Sequence, residues 1–117
     1  KVSASNVVKL SNKLKAILKK KGFHFNSILK ELDISRNHLG DSVDWADVLF
    51  CLFSLETLSL RCCGITAEGC SSLALALKSS HSSITELGLM GNDTGEDGLR
   101  ILSAIRDDPR YKLQTLE

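Results

Sequence analysis

The chain has 117 residues, 43% of them hydrophobic and 25% charged, which is the composition of an ordinary globular domain and excludes a disordered or fibrous chain. A formal net charge of +1 gives no overall drive toward nucleic acid. The longest apolar run, Val48 to Phe53, falls far short of the roughly 18 residues of a membrane span.

The charge is unevenly spread. Residues 1–21 carry seven lysines and no acid, leaving eight basic and fourteen acidic residues for the rest. The plain reading is a solvated helix face whose last lysines suit the negative end of the helix dipole. The sharper one is a contact with an acidic partner domain, or weakly with phosphates. Residues 1–27 read as a helix and link: Ser5 or Asn6 can cap it, Val7, Leu10, Leu14 and Leu18 fall at helical spacing, and Lys21-Gly22 ends it. Phe23-His-Phe25-Asn-Ser leads onward, its aromatics expected to pack.

Next comes Leu29-Lys-Glu-Leu32-Asp-Ile34-Ser-Arg-Asn37-His-Leu39, an L-x-x-L-x-L-x-x-N-x-L pattern. It returns as Leu55-Glu-Thr-Leu58-Ser-Leu60-Arg-Cys-Cys63-Gly-Ile65 and Ile84-Thr-Glu-Leu87-Gly-Leu89-Met-Gly-Asn92-Asp-Thr94, and begins again at Leu113-Gln-Thr-Leu116. This is a leucine-rich repeat signature. The centre of each unit alternates at period two, so its aliphatics enter a core while the residues between them face out. One such strand cannot bury its apolar face alone. Stacked in parallel on copies of itself it can, each Leu or Ile contributing roughly 1.5–3 kcal/mol. The late Asn, at 37 and 92, stands where the strand turns, and its amide can satisfy backbone groups there. Cys63 takes that slot in the middle unit, where a thiol packs but bonds weakly.

Between the strands lie three helical stretches. Asp41 or Ser42 can cap a short helix through about Phe53, with Trp45, Val48, Leu49 and Leu52 on the core face and Phe50 and Cys51 off it. Thr66 caps a second helix with Cys70, Leu73 and Leu77 inward, and Lys78-Ser-Ser-His-Ser-Ser follows as a polar connector. The third runs from Leu99 to about Arg106 and stops at Asp107-Asp108-Pro109. The expected organisation is a partial leading repeat over 1–27 and repeats over 28–117, in units starting near 29, 55, 84 and a truncated one at 113. With no initiating Met, no secretory signal and a cut-off last unit, the chain reads as a piece of something longer.

Several patterns imitate chemistry. Gly64-Ile-Thr-Ala-Glu-Gly69-Cys-Ser71 has the spacing of a phosphate-binding loop, but Cys70 stands where the essential Lys belongs. Asn92-Asp-Thr94 is formally a glycosylation acceptor, on an Asn that the repeat would bury. The four cysteines, at 51, 62, 63 and 70, form no C-x-x-C pair and no disulfide framework, which fits reduced thiols in the cytoplasm. His24, His38 and His81 have no nucleophile or metal partners at useful spacing. No enzyme, cofactor or metal site is expected.

Taken together, the Asn37, Cys63, Asn92 alternation and units of about 29 residues with a full helix resemble the ribonuclease-inhibitor class of leucine-rich repeats. Leu29 to Ser42, Ile65-Thr-Ala-Glu-Gly-Cys-Ser-Ser-Leu-Ala-Leu-Ala-Leu77 and Leu99 to Leu116 are similar to the C-terminal repeats of NOD-like receptors, especially the expanded fish group related to the NLR-family CARD-containing members. The departures are a first unit about three residues short, Thr94 in place of a core Leu and Gly88 in place of an outward Asp. The resemblance implies an α/β solenoid, a right-handed βα horseshoe segment with a parallel sheet on its concave face and helices on its convex face. It also implies a non-catalytic ligand-sensing or autoinhibitory part of a cytoplasmic innate-immune receptor. The alternatives are an enzyme inhibitor of the ribonuclease-inhibitor type, and a scaffold or assembly surface.

Independently of the resemblance, the alternating pattern turns Glu31, Asp33, Ser35, Thr57, Ser59, Arg61, Glu86, Gly88 and Met90 outward in rows. These are the candidate contacts for a protein partner on the concave face, with neighbouring domains of a longer parent as further partners.

Overall fold

Three residues are too few for a strand to stand alone, yet the computed structural model is built on strands this short. It describes residues 30–41, 43–80 and 82–117; the expected leading helix lies outside them. The elements are β1 (Glu31–Asp33), α1 (Trp45–Cys51), β2 (Thr57–Ser59), α2 (Ala67–Leu77), β3 (Glu86–Gly88), α3 (Gly95–Arg106) and β4 (Thr115–Leu116). The strands form one parallel sheet in chain order, with each helix connecting one strand to the next. That parallel order requires a crossover after every strand, and the helices supply it.

The register turns sequence repetition into columns. Leu32, Leu58, Leu87 and Leu116 lie side by side, and outside them run Glu31, Thr57, Glu86 and Thr115. Leu55, Ile84 and Leu113, then Ile34, Leu60 and Leu89, are buried in the same core as the helix residues Trp45, Val48, Leu73, Leu77, Leu102 and Ile105. Backbone bonds continue past the strand ends: Ile34 N donates to Ser59 O at 3.1 Å, Leu60 N to Gly88 O at 2.8 Å and Leu89 N to Glu117 O at 2.8 Å.

The turn after each strand is built unequally. Asn92 Oδ1 accepts from Cys63 N and Ile65 N, both at 2.9 Å. Its Nδ2 donates to Leu60 O at 2.7 Å and Leu89 O at 2.8 Å. One amide thus satisfies four backbone groups, three of them in the neighbouring unit. The same engagement occupies the formal glycosylation acceptor. At the matching position the Cys63 thiol reaches Ile34 O and Arg61 O only at 3.4 Å, contacts of a packed and weakly bonding group.

The helices differ from the sequence expectation at their ends. α1 closes at Cys51 rather than near Phe53 because Leu52 leaves the helical region, with φ −111° and ψ 55°, to turn toward β2. This unit is three residues shorter than the others, and α1 has 7 residues against 11 in α2 and 12 in α3, more than a turn less. Its cap is Asp44, whose Oδ1 accepts from Asp47 N at 3.3 Å, and not Asp41. Asp41 serves the next unit instead: Oδ1 accepts from Thr66 N at 2.7 Å and Oδ2 from the Thr66 hydroxyl at 2.5 Å. Thr66 therefore precedes α2 without making the expected side-chain cap bond. α3 starts at Gly95, four residues before Leu99, because Gly95 takes φ +69° and admits Glu96 and Asp97 to a first turn that favours acids.

Close approach between helices rests on Gly98. A Cβ there would lie 3.0 Å from Cys70 Sγ and 3.3 Å from the Ala67 Cα. Beyond α3, Arg110 forks onto Asp108, with Nε at 3.1 Å and Nη2 at 2.7 Å. That side-chain bonding, with the Arg110 amide also donating, holds the Asp108 carboxyl at about 2.

The Asn92 geometry predicts that Asn92→Ala lowers stability by about 2–4 kcal/mol, because paired turn groups lose their partner. Asn92→Asp, which keeps the acceptor and loses both donors, falls between the two. Urea unfolding followed by circular dichroism checks this, and an unchanged midpoint for the alanine variant contradicts it.

Candidate functional site

Alternation across the pleat sends the residues between the core leucines to the face of the sheet away from the helices. Glu31, Asp33, Glu86, Arg61 and Met90 are exposed there, and Thr57, Ser59 and Ser35 are half-buried. The structure places these residues in rows: Glu31 beside Thr57 beside Glu86, and Asp33 beside Ser59 beside Gly88.

Not all of them are free to contact a partner. Ser35 Oγ accepts from Arg61 N at 2.9 Å and so ties the turn after β1 to its neighbour, while Asp33 Oδ1 accepts from Ser35 N at 3.0 Å and braces that turn from within. Thr57 Oγ1 donates to Glu86 Oε1 at a long 3.4 Å. Gly88 is buried, and a Cβ there would lie 3.3 Å from Ser59 Oγ, so the sheet is low at this point.

Arg61 belongs to the second unit, yet its Nη2 lies 3.9 Å from Glu117 Oε1 in the fourth. It must cross the third strand to get there, and Gly88 lacks the side chain that would stand in the way. Both partners are about half exposed, so the pair contributes at most about 1 kcal/mol. Glu117 was not among the sequence candidates. It belongs to the row of Asp33, Ser59 and Gly88, and the repeat of 29 residues from Gly88 points to it. Lys30 and Glu56, paired at 3.6 Å, flank the same sheet and were also missed because they fall outside the alternating pattern.

Elsewhere the surface offers shallow hollows. A groove of about 360 Å³ runs between α2 and α3, lined by Ala67, Glu68, Ser71, Asp97, Arg100 and Ile101. A hollow of about 210 Å³ lies at the end of the sheet among Leu89, Met90, Leu99, Leu102 and Leu116. Among the described residues no His, Cys, Asp and Glu side chains gather as a metal set. Nor is any of their helices long and apolar enough to cross a membrane. Cys70, at the Lys position of the phosphate-loop imitation, is buried on the inner side of α2.

A family model described as leucine-rich repeat matches residues 25–42 and 51–74. The matched units are leucine-rich repeats. It is 44% identical over 95 residues to NACHT, LRR and PYD domains-containing protein 1b allele 5 of Mus musculus, a match covering 79% of this chain and 8% of that protein. Against NACHT, LRR and PYD domains-containing protein 3 of Rattus norvegicus the identity is 36% over 106 residues, covering 80% of this chain and 10% of the relative. Against the ribonuclease inhibitor of Sus scrofa it is 38% over 92 residues, 75% of this chain and 20% of the inhibitor. The chain thus spans a fifth or less of the length of these relatives. Both kinds of relative agree with a repeat of the ribonuclease-inhibitor class, as found in NOD-like receptors.

The thiols give a check on this geometry. Cys62 is exposed while Cys63 and Cys70 are buried. Burial raises Cys63, and burial reinforced by the Asp41 charge pushes Cys70 up from 9.0 to about 11. Alkylation by iodoacetamide at pH 8 is expected to modify Cys62 and to spare Cys63 and Cys70 until urea unfolds the chain. The stability contributed by a neutral Cys70 is present below its unfolded value of 9.0 and lost as pH rises through about 11. Native-state labelling of Cys70 at the rate of Cys62 contradicts the arrangement.

Proposed function

We propose that this chain is a protein-recognition segment, the ligand-sensing or autoinhibitory repeat part of a NOD-like receptor that works in the cytoplasm, and that its partner docks on the concave, open face of the sheet. The supporting observation is that face itself: a continuous parallel sheet whose outward side chains stand in register across units and carry mixed charge. Such a surface suits a broad protein contact, where affinity comes from many modest contacts spread over several repeats. The segment contributes binding and no catalysis. Glu31, Thr57, Ser59, Arg61, Glu86 and Met90 form the contact surface, and Asp33 and Ser35 shape it while holding the turn. The similarity to proteins named for NACHT, LRR and PYD domains supports the receptor parent.

A second reading, an enzyme inhibitor, is supported by 37% identity over 91 residues to the ribonuclease inhibitor of Mus musculus. The two part in what surrounds the segment and in what it blocks. The receptor reading expects the parent transcript to encode a glycine-rich phosphate-binding loop ending in Lys-Ser or Lys-Thr upstream of these repeats. It also expects ribonuclease activity to be unchanged by micromolar amounts of the chain. Leucine-rich units continuing upstream with no such loop, together with saturable inhibition of a ribonuclease, overturn it in favour of the inhibitor.

A further inference from the structure

We draw no further inference here: the strongest candidate, the apolar hollow of about 210 Å³ at the end of the sheet among Leu89, Met90, Leu99, Leu102 and Leu116, is a face with Met90 and Leu99 exposed, and nothing in the structure shows what covers it.

Discussion

Leu58 has no exposed surface because Leu32 stands on one side of it in the sheet and Leu87 on the other. Every other feature depends on this lateral cover. A strand of three residues has too few hydrogen bonds and too little buried area to persist, so each unit is stable only as far as its neighbours are in place. The parallel order that follows forces a helix between successive strands, and those helices close the core from the other side. Parallel stacking also aligns the outward residues in rows, so the open face is a direct product of the same packing.

Much of this was legible from spacing. The aliphatic positions repeat at period two within a strand and at about 29 residues between strands, and both periods follow from backbone geometry that tertiary context does not change. Burial of Trp45, Val48 and Leu49 in α1, and of Leu52 just after it, followed from helical spacing in the same way. Helix ends were read less well. Asp41 has the chemistry of a cap for the helix that follows it, but its carboxylate lies against Thr66, 25 residues later. Capping rules look a few residues along the chain, whereas in a stacked repeat the nearest unsatisfied N–H can belong to the adjoining unit. Gly95 escaped notice for a related reason: its left-handed conformation opens a helix that its composition alone does not advertise.

The open face shows a similar division. Alternation identified which side chains point outward, and it could not say which of them the fold already uses. Ser35 and Asp33 spend part of their bonding capacity on the turn, and Arg61 is committed across two units to Glu117. What is left is the row of Glu31, Thr57 and Glu86 and a low margin at Gly88 and Met90. A glycine at 88 lowers the sheet and lets Arg61 pass, so one small residue shapes both the pairing and the surface.

The account stands on strands of successive repeats lying side by side in parallel. Through-hydrogen-bond scalar couplings in the isotopically labelled chain test this most directly. The expected couplings join the Ile34 amide to the Ser59 carbonyl, Leu60 to Gly88 and Leu89 to Glu117. Couplings from those amides to carbonyls four residues earlier, or in an antiparallel order, would contradict the fold and with it the recognition surface.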